Sequence, residues 1–292
     1  MSTSAGRPLF WLDVFTDTPL LGNGLAVVLD ADDVTDETML GFSREVSLSE
    51  TTFVQTASGD EADYRNRIWT VSGEIPFAGH PSLGTAVAVA IARGDGSGTF
   101  TQQTQVGLQE IEFESEDGLW HAAVHQPAAE FGESFPVKRL APALGLQEGQ
   151  MDEFLTGQIV STGLPALLNP VGSKEALAAC RPDFEAVRGI DDRPALNVYP
   201  FFHERGSRTI RARCFGDDLA GIEDAATGSA AGPLIAYLQD CLDISEVVVE
   251  QGVEMGRASR LEAKMVDGRP KVGGSVTLLS RGEVFLPSDV SG

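Results

Sequence analysis

Lysine is scarce in this chain. Lys138, Lys174, Lys264 and Lys271 are the only four among 21 basic residues, against 43 acidic ones and a net charge of −22. That balance excludes nucleic acid as an expected partner, because phosphate binding needs a concentrated basic surface. None of the four lysines sits in a special sequence context, which disfavours Schiff-base chemistry with pyridoxal phosphate. Cysteine is equally thin. Cys180, Cys214 and Cys241 are odd in number and far apart, which fits free thiols in a reducing compartment better than a disulfide framework or a thiolate metal site. No segment approaches the roughly 18 consecutive apolar residues of a membrane span. The Met1 to Phe10 segment has neither a basic start nor an apolar core, so no secretory signal is read there. The expectation is a cytoplasmic protein with no membrane partner.

What is abundant is acid, and it is scattered: Asp30, Asp32, Asp33, Asp36 and Glu37; Asp60, Glu61 and Asp63; Asp191 and Asp192. We read it as a solvated surface adapted to high salt, where screening removes the self-repulsion; an ordinary acidic cytoplasmic enzyme is the alternative. With 292 residues and 42% hydrophobic content, the chain can bury one large core or two moderate ones. Two are expected.

In the first third, β-rich runs at Leu9 to Phe15 and Leu25 to Leu29 flank the turn signal Leu21-Gly-Asn-Gly24. A helix is expected from Thr35, with Asp36 and Glu37 in its first turn. Strands follow at Glu50 to Gln55 and Arg65 to Val71, then a helix from about His80 to Arg93, a glycine loop at Gly94 to Gly98, and strands at Gln105 to Phe113 and Trp120 to Gln126. Pro127 to Pro142 is read as the crossing between two halves, residues 1–126 and 127–292, with a last strand near 280–288 returning to the first half. The second half repeats the order: a helix near Lys174 to Cys180, strands near Ala195 to His203 and Thr209 to Phe215, a helix from Ser229, then strands at Val247 to Gln251, Arg260 to Val266 and Gly274 to Phe285. Many strands around one buried helix, twice over, give an α+β pair of helix-filled barrels.

Two glycine-bearing segments carry the functional signal, Glu74-Ile-Pro-Phe-Ala-Gly-His-Pro-Ser-Leu-Gly-Thr85 and Glu223-Asp-Ala-Ala-Thr-Gly-Ser-Ala-Ala-Gly-Pro233. Each runs into a stretch apolar nearly all round, with Val87, Val89 and Ile91 in the first and Leu234, Ile235, Tyr237 and Leu238 in the second. Such helices are buried inside their domains. Small residues at their starts leave backbone N–H groups open to a carboxylate or phosphate.

Glu50 lies in Ser47-Leu-Ser-Glu-Thr-Thr-Phe53, where alternation puts Glu50, Thr52 and Val54 on one strand face. By itself it reads either as an exposed strand residue or as a general acid/base. Asp224 reads either as a helix N-terminal cap or as an acid. His80, between Gly79 and Pro81, is either structural or placed at a ligand site. His121 and His125 share a strand face without a third ligand, and no metal site is read from them. Ser229 lacks the Gly-x-Ser-x-Gly elbow, since the local order is Gly228-Ser-Ala-Ala-Gly232, so a serine hydrolase is a weak reading. A cofactor-free proton transfer remains.

At these residues the chain resembles the phenazine-biosynthesis PhzF-like isomerases of the diaminopimelate epimerase-like superfamily. The matching segments are Gly22-Asn-Gly-Leu-Ala-Val27, Ser43-Arg-Glu-Val-Ser-Leu-Ser-Glu-Thr-Thr-Phe-Val54, Glu74-Ile-Pro-Phe-Ala-Gly-His-Pro81, Gly221-Ile-Glu-Asp-Ala-Ala-Thr-Gly-Ser-Ala-Ala-Gly-Pro233 and Gln251-Gly-Val-Glu-Met-Gly-Arg257. They come in the family's order and span nearly the whole chain. The resemblance implies two pseudo-equivalent barrel-like domains, each around a central helix, with the active site in the interdomain cleft, a homodimer and no cofactor. It implies Glu50 as the catalytic acid/base, His80 and Asp224 as residues that orient or relay protons, with Asp224 in the opposing half, and Asn23, Gly79, Gly228 and Ser229 as the grip on a small cyclic or unsaturated carboxylic acid. Where epimerase relatives carry two proton-transferring cysteines, this chain has Ala78 and Thr227, which argues against an epimerase or racemase. Three places depart from the family pattern and bear on the substrate: Gly24 after the asparagine, Trp69-Thr-Val71, and Gly216-Asp-Asp218 without its usual proline.

Charge yields one expectation open to direct measurement. Screening acts over about 10 Å at 0.1 M salt and over less at higher ionic strength, so the Tm should climb steeply towards molar potassium chloride. A Tm that stays flat between low and molar salt contradicts the halophilic reading.

Overall fold

The computed structural model describes residues 6–193, 196–216 and 223–287. Gly221 and Ile222 of the family-like segment that ends at Pro233, Asp217 and Asp218, Ala195, and position 288 of the expected last strand lie outside the described residues. The chain divides into two compact units, Met1–Val124 with Gly273–Gly292, and His125–Val272.

The first unit carries β1 (Arg7–Val14), β2 (Asn23–Val28), α1 (Asp36–Val46), β3 (Glu50–Gln55), β4 (Tyr64–Trp69), the two-residue β5 (Glu74–Ile75), α2 (Gly79–Arg93), β6 (Ser97–Thr104), β7 (Gly107–Glu116) and β8 (Leu119–His125). The second carries β9 (Glu130–Phe135), α3 (Val137–Ala143), β10 (Gly157–Ser161), β11 (Pro165–Pro170), α4 (Lys174–Ala179), α5 (Phe184–Arg188), β12 (Asn197–His203), β13 (Thr209–Ala212), β14 (Cys214–Gly216), β15 (Glu223–Asp224), α6 (Gly228–Leu242), β16 (Glu246–Gln251) and β17 (Ser259–Val266); β18 (Arg269–Val284) ends the series.

In the first unit the pairings run β1–β2–β3–β4–β6–β7–β8, and β18 pairs with both β8 and β1, so eight strands close into a barrel. Within it, β2–β3 and β4–β6 are parallel and the intervening β3–β4 pair is antiparallel. The second unit repeats that run as β10–β11–β12–β13–β16–β17, with β11–β12 and β13–β16 parallel and β12–β13 antiparallel.

Each unit wraps an apolar helix. Residues 80–90 of α2 are all buried, and the helix packs against β1, β2, β3, β4, β6 and β7. Residues 230–238 of α6 are buried and pack against β10, β11, β16 and β17. α1 lies over a separate cluster of Val28, Met39, Phe53 and Trp69. It starts as its sequence dictates: the Thr35 hydroxyl accepts from the Thr38 amide at 3.3 Å, with Asp36 and Glu37 in the first turn where they complement the helix dipole.

Several sequence expectations need correction. The glycine loop at Gly94 to Gly98 ends early, because Ser97 and Gly98 already belong to β6. A Cβ on Gly98 would lie 3.2 Å from the Phe113 ring, so this glycine makes room for a cross-strand aromatic. The strand expected at Gln105 to Phe113 begins only at Gly107, since Gln105 and Val106 form the hairpin turn and Gly107 has φ +116°. Thr209 to Phe215 is two strands, interrupted at Arg213 opposite Pro200, a residue with no N–H to give the ladder. Pro127 to Pro142 is no bare crossing: it holds β9 and most of α3.

Among the described residues none of the three cysteines is in a disulfide, and no helix is long and apolar enough to cross a membrane. Burial pushes the Cys180 thiol up to about 11.

Closure of the first barrel depends on Gly273. A Cβ there would sit 2.6 Å from the Ala122 carbonyl oxygen and 2.6 Å from the Ala123 Cβ on β8. Backbone cannot yield as a side-chain end can, so Gly273→Val should destabilise the protein by about 1–3 kcal/mol, the usual cost of overpacking. Urea unfolding would read this as a lowered midpoint; an unchanged midpoint would show that β8 and β18 do not approach so closely.

Candidate functional site

Parallel pairing of β2 with β3, Leu25 opposite Glu50, sets the starts of both strands at one end of the first barrel. Asn23 begins β2, Glu50 begins β3, and His80 is the second residue of α2. Thr52, two residues beyond Glu50 on the same face, shares a 2.8 Å hydroxyl contact with Thr85 of α2, so Glu50 lies on the face that looks towards the helix. Its Oε2 stands 3.5 Å from His80 Nε2, and the two side chains are 15% and 5% exposed.

The histidine is oriented from behind. Ser49 Oγ donates to Asn23 Oδ1 at 3.3 Å, which turns the amide nitrogen of Asn23 towards His80 Nδ1, also at 3.3 Å. An acceptor at Nδ1 places the ring hydrogen on Nε2, pointing at Glu50. The gap of 3.5 Å exceeds that of a formed N–H···O bond. This end of the unit therefore presents a carboxylate and an oriented N–H donor side by side.

α2 begins with Ala78 as its N-cap, without a side-chain cap and without an acid in its first turn. No side chain of this first turn therefore answers the partial positive charge of the helix start. Gly79, half-buried, contributes no Cβ at that point.

The second unit has a start of the same kind. Thr227 is the N-cap of α6, again without a side-chain cap bond and without an acid in the first turn. Asp224 is therefore not the cap that its sequence position allowed: its Oδ2 accepts from the Thr227 hydroxyl at 2.6 Å. Gln251 of β16 fixes the loop, donating from Nε2 to the Asp224 carbonyl and to Thr227 Oγ1, both at 2.9 Å. Gln251 Oε1 accepts from the Tyr199 hydroxyl at 2.9 Å and from the Thr227 amide at 3.3 Å. Burial holds the Tyr199 phenol protonated, its pKa well above the ordinary value. Gly228 is buried and Ser229 partly exposed at the first and second positions of α6. Gln126 donates to the Gly228 carbonyl at 2.9 Å and crosses Gly232 so closely that a Cβ there would fall 1.8 Å from its Oε1; only glycine fits.

Asn23, Glu50 and His80 are thus brought together in one unit, and Asp224, Gly228 and Ser229 lie along one loop and helix start in the other. Sequence reasoning gave no role to Ser49, Gln126, Tyr199 or Gln251. Ser49 and Gln251 stood inside the family-like segments, which is the signal that could have marked them; Gln126 and Tyr199 carried none.

Comparison with known proteins shows the family and the fold. The sequence pattern of the PhzC-PhzF family, described as phenazine biosynthesis-like protein, matches residues 12–282. A trans-2,3-dihydro-3-hydroxyanthranilate isomerase of Pseudomonas aeruginosa is 38% identical over 258 residues, 87% of this chain and 88% of the relative. Among solved structures, a Pseudomonas aeruginosa protein titled a predicted epimerase superposes with a TM-score of 0.82 at 34% identity, over 95% of this chain and 99% of its own. A hydroxyproline epimerase of Agrobacterium vitis reaches a TM-score of 0.65 at 11% identity, over 98% and 94% of the two chains, and so shares the fold.

Proposed function

The chain belongs to the phenazine biosynthesis-like (PhzC-PhzF) family and is an isomerase; from that premise we propose that it moves a proton, and with it a double bond, within a small cyclic or unsaturated carboxylic acid resembling trans-2,3-dihydro-3-hydroxyanthranilate. The observation that carries the reading is the meeting of Glu50 with the oriented His80 ring at the uncapped start of α2. Glu50 takes a proton from a substrate carbon and returns it further along the conjugated system. His80 donates a hydrogen bond from Nε2 to charge that develops on the substrate or to the Glu50 carboxylate. The N–H groups at Gly79 and at Gly228 and Ser229 hold the substrate carboxylate, and Asp224 orients or relays a second proton. Catalysis then rests on positioning and on fixed donors aimed at developing charge. The homodimer and the lack of a cofactor rest on the family resemblance.

One observation separates this reading from a two-thiol epimerase. Ala78 and Thr227 are the N-caps of α2 and α6, the equivalent place in the two units, and neither has a thiol. Glu50 supplies the carboxylate beside His80 at the first start; the Thr227 hydroxyl is bonded to Asp224.

Glu50→Gln keeps the size and hydrogen-bonding capacity of the side chain and removes its basicity. With trans-2,3-dihydro-3-hydroxyanthranilate as substrate, turnover should fall by about two to four orders of magnitude, the scale of a general acid/base, while Tm and substrate affinity hold. Near wild-type turnover by that variant would remove Glu50 from the chemistry.

A further inference from the structure

Two arginines outside the chemistry repeat one arrangement. In the first unit Arg67 binds Glu74 through two parallel bonds, Nε to Oε1 at 2.8 Å and Nη2 to Oε2 at 2.6 Å. In the second unit Arg213 binds Glu223 in the same way, at 2.8 and 2.7 Å. Each guanidinium also lies over the aromatic ring two residues on, Trp69 at 5.3 Å and Phe215 at 4.7 Å from the ring centre. Each of those aromatics is the cross-strand partner of the same glutamate: Trp69 pairs with Glu74, and Phe215 with Glu223. Each glutamate precedes the first residue of its buried helix by the same five positions, Glu74 before Gly79 and Glu223 before Gly228. The arginine side chains are buried, at 10% and 4% exposure.

The third guanidinium nitrogen ties each pair to a surface helix. Nη1 of Arg67 donates to Asp36 Oδ1 at 2.8 Å, in the first residue of α1. Nη1 of Arg213 donates to the carbonyls of Leu177, Ala178 and Cys180 at 3.0–3.1 Å, at the end of α4. The two modes follow from the helix dipole: a cation meets C-terminal carbonyls directly, whereas at an N-terminus a carboxylate must stand between.

β5 and β15 are two residues long and each has one cross-strand partner. Backbone pairing of that length fixes little, yet these strands lead into the starts of α2 and α6. We propose that Arg67–Glu74 and Arg213–Glu223 are a duplicated positioning clamp: each forked ion pair holds the lead-in strand, and through it the helix-start N–H groups and the neighbouring His80 or Asp224, in the geometry that the reaction needs. Arg67 and Arg213 touch no substrate in this account and act through the chain they hold. A planar fork is needed for two parallel bonds, and lysine supplies only a point charge.

The inference rests on the proposed function for its catalytic consequence but not for its structural one, so the test reads both. Amide hydrogen exchange on the unliganded protein should show segment 225–232 exchanging at least about tenfold faster in Glu223→Gln with 76–83 unchanged, and the reverse in Glu74→Gln, because local opening is confined to the released segment. With trans-2,3-dihydro-3-hydroxyanthranilate, each variant should lose about tenfold or more in kcat, with a smaller change in KM, as expected for misplaced groups. Arg67→Lys and Arg213→Lys keep the charge and lose the fork; they should show the same local exchange, and they carry the test if a glutamine variant fails to fold. Exchange that rises evenly across a unit, or not at all, or a lysine variant indistinguishable from wild type, overturns the clamp. Wild-type protein inactive on that acid removes the proposed function and leaves the exchange result to decide the clamp alone.

Discussion

A helix surrounded by strands has to begin inside the protein, and its first N–H groups need acceptors that the helix cannot supply. In most proteins a serine, threonine or aspartate at the cap answers this, as Thr35 does for α1. The two central helices decline that solution: Ala78 offers no acceptor, and the Thr227 hydroxyl is turned to Asp224. No capping side chain answers the partial positive charge of either start, and a glycine, Gly79 or Gly228, stands at the first helical position. Much of the remaining structure serves this pair of starts. The barrels bury the helices, the parallel strand pairs set Asn23 and Glu50 at the end where α2 opens, and Gln251 and Gln126 secure the backbone where α6 opens.

The doubling extends further than the amino-acid identities do. The same alternation of parallel and antiparallel pairs recurs in the two units, and so does an arginine forked onto a glutamate that stands five positions before each helix start. Chemistry is not doubled. The first unit offers a carboxylate and an imidazole, the second an aspartate bonded to a threonine hydroxyl. A symmetric frame bearing unlike groups suits an isomerase that returns a proton to the substrate more than an epimerase that needs matched groups of the kind its relatives provide with two thiols.

Legibility in the sequence followed the range of the interactions. The buried helices were readable because their apolar character is continuous along the chain; Glu50, His80 and Asp224 were marked as candidates because short segments around them resemble a known family. The start of α1 followed from Thr35, Asp36 and Glu37, all local signals. Arg67, Arg213, Tyr199 and Gln251 were not given roles, because their partners lie 7 to 52 positions away and nothing in their immediate neighbours announces the pairing. β5 and β15 escaped notice for a related reason: two residues carry no alternation. β6 was hidden by Gly98, whose purpose is visible only from Phe113 on the neighbouring strand. Asp224 shows how an ambiguous residue resolves; it stands where a cap would stand, and the threonine beyond it takes that place.

The central claim is that one carboxylate, Glu50, both removes and returns the proton. A single turnover in heavy water, with NMR of the product, tests it most directly. A lone base working on one side should leave the new C–H bond on the face from which the original proton departed, with deuterium present only as far as the Glu50 carboxyl exchanges with solvent before it delivers. Deuterium delivered wholly to the opposite face, with inversion at the original carbon, would mean two opposed groups and would contradict the account.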